Sequence, residues 1–282
     1  MKSAITLLLA LLTAPLVSGQ DSRPAPSGVA DSLVEISSRV SVFFNYELIL
    51  LRADGTYQEI VSDGVSNTVI GFQTFPPSSG TYTYSTSQGP TGLEGMISFS
   101  DTATLGSIAF GGGSGGVDSP LVNVYPRLAV TGAVNVSNNS WIEPAHPSTP
   151  GFVIQGTSPR WVLIRGDGPS LAQFGVENPV AAPTLTFAGA AARSVNLSTD
   201  SQILNNAGPL PSQTVLPWSS DPNRAAGLQA IFSAAGAFQF QQGSPDCAAL
   251  VLLAPGAYTV QAATAGAAGE LLTEVYVLPY GN

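Results

Sequence analysis

The alternation RWVLIR at 160–165, closed by the turn residues GDGPS, most restricts what this chain can fold into. Side chains of a strand alternate between its two faces, and here 161–164 are bulky and apolar throughout. Trp161, Leu163 and Arg165 share one face, and Val162 and Ile164 share the other, so both faces need a cover. Gly166 and Gly168 allow the chain to turn sharply. Ser170 then precedes Leu171 with Gln173 three positions on, the spacing of a capping box, and Gly175 stands at the C-cap position. A nucleophile on a strand–turn–helix elbow would occupy the same place as Ser170. That elbow requires Gly-x-Ser-x-Gly, and 168–172 reads GPSLA, so a capping Ser is the expectation.

Similar strand patterns fill most of the chain. Before the core stretch, strands are expected at 33–42, 46–52, 57–61, 68–75, 81–85, 95–100 and 105–110, as a β-meander module over 31–110. Their Val, Ile, Phe, Tyr and Thr suit a pleated, half-buried surface. Turns are expected at Ala53-Asp54-Gly55 and Ser62-Asp63-Gly64. The tyrosines of TYTY at 81–84 would pack across strands or form an aromatic binding face. The run GGGSGG at 111–116 reads as a flexible tether, so 111–119 is a linker and 120–282 a second unit. LVNVYPRLAV at 121–130 echoes LVEISSRVSV at 33–42, which is too short to count as a repeat. In the second unit strands are expected at 152–154, 183–188, 193–197, 248–253, 258–263 and 271–278, with loops at 131–150 and 205–220. One helix is expected after Asp221-Pro222, with Ala225, Leu228, Ile231, Phe232 and Ala235 as its apolar stripe and Gly236 as its end. It should cover an end or edge of the sandwich. The fold class is therefore mostly β: an N-terminal antiparallel β-meander module plus a C-terminal antiparallel β-sandwich with one short covering helix.

Several motifs of the second unit recur in a fixed order. They are LVNVYPR at 121–127, GFVI at 151–154, RWVLIRGDGPSLAQFG at 160–175, PTL at 183–185, GAF at 236–238, DCAAL at 246–250, PGAYTV at 255–260 and EVY at 274–276. Together they resemble a recurring, mostly uncharacterised domain of secreted and cell-surface bacterial proteins, over Leu121 to Pro279. The resemblance implies a β-rich extracellular domain without a known reaction. The chain departs from that pattern at Asp167, where a small apolar residue is usual, and in a longer, more polar stretch at 131–150. Both departures leave room for a local site.

Composition points to export. Lys2 and the apolar stretch 4–17 read as a signal peptide over 1–19, with cleavage between Gly19 and Gln20. The apolar stretch is shorter than the roughly 20 residues that span a bilayer. No later segment reads as a transmembrane helix, and the expected location is secreted or cell surface/outer envelope. Residues 20–30 read as a mobile leader. The mature chain keeps eight Arg against 18 acids, a net charge near −10, which disfavours nucleic acid and anionic membranes as partners. Charged residues are only 10% of the chain, against about 25% ordinarily. A weakly charged surface tolerates dense packing against neighbours, as in an envelope layer.

Catalytic and metal chemistry find few residues to use. The single His, His146, sits in the Pro-flanked EPAHP at 143–147, a poor place to orient an imidazole for a triad. One His and one Cys cannot furnish a zinc site. Cys247 opens a run of apolar residues and reads as a buried hydrophobe, with an intermolecular disulfide as the alternative. Asp54, Glu59, Asp63 and Asn67 are oxygen ligands for a calcium site on one rim, against their simpler role as turn formers. Otherwise no cofactor is expected. Trp141 and Trp218 lie in polar or Pro-rich segments, where an exposed indole would stack on a sugar; the alternative is a loop Trp folded over the core. The leading expectation is a non-catalytic structural or adhesive module, partnered by other surface proteins or polysaccharide and capable of self-association. A carbohydrate-binding module using Trp141 or Trp218 is the second reading. A hydrolase built on scattered carboxylates, about 5–10 Å apart if glycosidic, is the third.

Overall fold

A computed structural model describes residues 23–40, 43–65, 72–102, 105–113, 120–128, 135–189, 194–195, 203–204 and 210–281. The signal-peptide and cleavage residues, 1–19 and Gln20, lie outside that set, as do 114–119 of the Gly-rich run.

The chain is mostly β, with antiparallel sheets. The first eight strands are β1 (Ser32–Val40), β2 (Phe43–Leu51), β3 (Thr56–Val65), β4 (Phe72–Thr74), β5 (Ser79–Gly89), β6 (Gly92–Phe99), β7 (Ser107–Gly111) and β8 (Leu121–Pro126). They form one sheet in the order β7-β6-β5-β3-β2-β1-β8, with β4 beside β3, and the sheet curls until β7 and β8 approach each other. Alternation decides its two faces. Val34, Ile36, Ile49, Leu51, Tyr57, Ile97, Phe99, Phe110 and Val122 point into the barrel. Leu33, Tyr46, Leu48 and Leu50 point out into a second core. A bulge in β3 opposite Leu48 and Ile49 puts both Ile60 and Val61 on that outer face.

Three expectations for this half are corrected. The strand 121–126 belongs to the first sheet: β8 lies antiparallel beside β1, with Leu33 opposite Tyr125 and Glu35 opposite Asn123. The echo between the two segments is thus one between sheet neighbours. Ser62-Asp63-Gly64 is no turn but lies inside β3, because Asp63 is drawn inward by Arg224, whose Nη2 donates to Oδ2 at 3.0 Å. The leader is not loose over 23–30. Ala25 and Val29 are buried in the barrel core, and the Ala25 N–H donates to the Leu93 carbonyl at 2.7 Å.

The remaining chain makes a sandwich. One sheet orders β10 (Gly151–Ile154), β17 (Gly256–Thr264), β12 (Pro183–Gly189) and β15 (Leu210–Val215). The other orders β16 (Cys247–Leu253), β11 (Arg160–Asp167), β18 (Gly269–Gly281) and β9 (Asn135–Ile142). The short strands β13 (Ser194–Val195) and β14 (Ile203–Leu204) pair with each other. Strands β9 and β15 fall in segments expected as loops. Polar composition hid β9, whose sequence NVSNNSWI alternates between a partly covered and an open face. Three prolines between 209 and 217 suggested a loop, yet β15 is an edge strand, where Pro is tolerated.

β11 divides its side chains as the alternation requires. Val162 and Ile164 enter the core between the two sandwich sheets. Trp161 and Leu163 enter the core shared with the barrel's outer face, where Tyr125 meets Trp161 edge-on at 5.8 Å. All seven residues of β16 are buried. The helix α1 (Pro222–Ala235) is capped as expected: Asp221 accepts from the Asn223 and Arg224 N–H groups, and Gly236 is left-handed. It does not cover an end of the sandwich. It packs on the shared core between β3 and the central sheet, burying Leu228, Ile231 and Phe232.

Gly227 is where α1 rests on β3, and a Cβ there would collide with the Ile60 carbonyl oxygen. Replacing a helical Gly by Ala ordinarily gains about 1 kcal/mol, while overpacking against a fixed backbone costs about 1–3 kcal/mol. Collision with backbone is not relieved by a rotamer change, so overpacking wins. Gly227→Ala should lose about 1–2 kcal/mol in urea unfolding, against the helix-propensity trend.

Candidate functional site

In a chain with few charges, those inside a strand are informative. Arg165 continues the inward face of β11 after Trp161 and Leu163 and is fully buried. Asp167, two residues on, is also fully buried, and Glu274 faces Arg165 directly across from β18. The Arg165 Nε stands 3.4 Å from Asp167 Oδ1, and Nη1 stands 3.4 Å from Glu274 Oε2. Neither contact is a well-aligned hydrogen bond. Aromatic faces take the place of water around the guanidinium, whose Cζ lies 4.1, 4.3 and 4.7 Å from the ring centres of Phe240, Phe238 and Phe232. The Tyr276 hydroxyl donates to Glu274 Oε1 at 2.8 Å.

Burial pushes the Asp167 carboxyl well above its usual range. Arg165 opposes that rise, and the nearby Glu274 and Asp246 add to it. The Cys247 thiol is pushed up to about 12 by burial, with Asp246 adding to the rise. It is a buried hydrophobe, as expected, and not a reactive thiolate.

A second polar junction adjoins the first. Asp246 accepts from the Gly168 N–H at 2.6 Å, from Ser170 Oγ at 2.5 Å and from Ser244 Oγ at 2.5 Å. Ser170 Oγ in turn accepts from the Gln241 N–H at 3.0 Å. These bonds tie the turn after β11 to the loop before β16. The capping box expected at Ser170 is therefore corrected. The turn at Pro169–Phe174 is a 3-10 helix with no side-chain cap, because the Ser170 hydroxyl is already committed to Asp246. Gln173 instead donates to the Ser170 carbonyl at 2.8 Å. Gly175 does end the turn in the left-handed region.

A third group sits on the barrel side. Glu47 and Glu59 face the barrel interior as cross-strand partners of Ile36 and Ile49. Burial, reinforced by Glu59, pushes the Glu47 carboxyl up to about 10. Glu59 Oε2 accepts from the Ser78 N–H at 2.7 Å.

The residues expected to bind or catalyse are scattered. Trp218 is buried, its Nε1 donating to Ser244 Oγ at 3.1 Å and its ring packed on Phe232 and Phe240. It cannot stack on an external sugar, which removes one of the two binding candidates. Trp141 is 54% exposed, on β9 and not in a loop, opposite Glu270. His146 is exposed and pairs with Glu143 at 3.2 Å, while Ser170 is enclosed and bonded to Asp246, so these two do not form a Ser–His pair. The calcium candidates are not gathered. Asp54 is an exposed turn residue bonded to Thr56, Glu59 faces the barrel interior, Asp63 faces Arg224, and Asn67 lies outside the described residues. Sequence reasoning overlooked Arg165, Glu274, Ser244 and Asp246 as a set. The available signal was charge on the inward face of strands in a chain that carries so little. A scan against protein-family models and a search of curated proteins both return no match.

Removing one partner of a buried ion pair leaves the other uncompensated and costs about 3–5 kcal/mol. Arg165→Met should therefore be strongly destabilising, whereas Asp167→Asn, which removes a carboxyl that burial already pushes toward its neutral form, should cost less. The folded pKa of Asp167 is raised, so stability is fullest below its unfolded value, 3.8, and declines as pH rises through the folded one. Glu47, raised from 4.5 to about 10, acts in the same direction. Thermal unfolding from pH 5 to 9 should show Tm falling with pH, and the double variant Glu47→Gln/Asp167→Asn should flatten that fall.

Proposed function

We propose that the chain is an exported, non-catalytic structural or adhesive module of a cell surface or secreted matrix. The observation that carries this reading is the enclosure of its reactive-looking groups: Arg165, Asp167, Ser170 and Asp246 are each 0% exposed. They are spent on one another and on tying loops to strands, with no approach for a substrate. The described residues include no helix long and apolar enough to cross a membrane. The signal-peptide pattern at 1–19 supports export, and the resemblance of 121–279 to secreted and cell-surface domains supports the same setting. Partners in this reading are other surface proteins, polysaccharide or further copies of the chain.

One observation favours a second reading as a carbohydrate-binding module. Trp141 exposes an indole on the open face of an edge strand, the face that also carries the exposed Ser137 and Asn139. Aromatic stacking with nearby amides and hydroxyls is the chemistry that recognises sugars. A glycan array with the protein from Gln20 separates the readings. The structural reading predicts no glycan signal that depends on Trp141. A signal lost in Trp141→Ala, with Tm unchanged, would establish the lectin-like reading in its place.

A further inference from the structure

The barrel is closed by a strap, not by its last strand. Residues 23–29 run across the gap between β7 and β8. The Ala25 N–H donates to Leu93 O at 2.7 Å, and the Gly112 N–H donates to Arg23 O at 2.8 Å. Arg23 reaches the other wall, its Nη1 donating to Asn123 Oδ1 at 3.1 Å and its Nη2 to Val122 O at 3.2 Å. Tyr84 donates to the Pro26 carbonyl at 2.5 Å. Beneath the strap lies a row of glycines. A Cβ on Gly95 would stand 3.0 Å from the Ala25 Cβ, one on Gly92 3.1 Å from Pro24, and one on Gly111 2.7 Å from the Ala25 nitrogen. The slot is thus shaped for this segment. Even so, a cleft of about 280 Å³ stays open between the strap and β8.

We infer that the strap is exchangeable, and that the slot is a self-association site whose partner is the strap of a second copy of this chain. Two observations carry this. The slot fits residues 23–29, and every copy brings the same residues, so a swapped contact repeats each bond of the closed one. The strap joins β1 through Asp31, the one described non-Gly residue with positive φ, at 53°. That bend is the cost of folding the strap back on its own barrel, and an extended connection to a neighbour relieves it. Exchange in both directions gives a dimer, and exchange in one direction gives an open chain of subunits. This goes beyond the structural reading and rests on it for the setting, since cleavage before Gln20 leaves only three residues ahead of the strap.

The test is sedimentation velocity on the protein from Gln20, across a concentration series and after mild warming to release the strap. Dimers and larger species are expected in the intact protein. Association should weaken at least ten-fold in Ala25→Asp, which sets a charge in the slot, and in the intact protein with excess synthetic peptide of residues 21–30. If Ala25→Asp does not fold by circular dichroism, the peptide competition on the intact protein decides. A protein that stays monomeric throughout overturns strap exchange, and so does assembly that neither the substitution nor the peptide weakens. Assembly of that second kind leaves the structural reading standing, whereas a monomer that binds a glycan through Trp141 sinks both.

Discussion

The central sheet β16-β11-β18-β9 carries apolar side chains on both faces, so it needs two covers. The sandwich partner supplies one, through Leu185, Phe187, Tyr258 and Val260 packed on Val162, Ile164 and Val251. A lone sandwich would leave Trp161, Leu163, Leu250 and Leu252 in water. The barrel's outer face and α1 supply the second cover. The two halves are therefore held by a shared core and not by a tether. A bridge between Arg127 and Tyr280 and a 2.7 Å bond from the Leu128 N–H to the Pro279 carbonyl continue the join at the backbone. Substitutions on this face should be felt by both halves at once, because neither has another surface on which to bury it.

Placing Arg165 inside that core sets the chemistry of its surroundings. A buried guanidinium is tolerated only with opposite charge and polarisable neighbours close by. Glu274 supplies the first, and three phenylalanine rings supply the second. Burial and the nearby Glu274 raise the Asp167 carboxyl, and Arg165 opposes that rise. Asp246 beside it accepts bonds from backbone and hydroxyl donors. The junction fixes where the chain leaves β11 and where it enters β16, which are adjacent strands with Gly166 opposite Cys247. Its work is to define register and turn geometry, which accounts for so much polarity at a place no solvent reaches.

How much of this the sequence displayed depends on the range of the interaction involved. Periodicity and capping are local, so RWVLIR at 160–165 and the Asp221-Pro222 start of α1 were legible. The seat of the strap was not, because its slot is built from Gly92, Gly95 and Gly111, some 70 to 90 positions away. The role of Ser170 followed the local rule for caps until a partner 76 positions on took its hydroxyl. For Trp218 the sequence offered both an exposed indole and one folded over the core, and it is the second that holds, with the Ser244 hydroxyl satisfying the indole N–H. Each miss is a case where a distant partner outbid a local preference. For Trp141 the same pair of options resolves the other way, and the indole stays exposed on β9.

Burial of charge also changes what the outside of the molecule can do. Glu35, Glu59, Asp63, Asp167, Asp246 and Glu274 are all buried, which removes a third of the 18 acidic side chains from the surface. Arg165 and Arg224 are withdrawn with them. The exterior is left with sparse charge, mostly negative, over hydroxyl and amide groups. Long-range repulsion between copies is correspondingly low, and at physiological salt it is screened beyond about 8 Å. Such a surface resists close approach weakly, and specific approach must come from shaped features instead of from charge pairing. In this molecule those features are few: the strap in its slot, the open edge of β9, and the indole of Trp141 upon it.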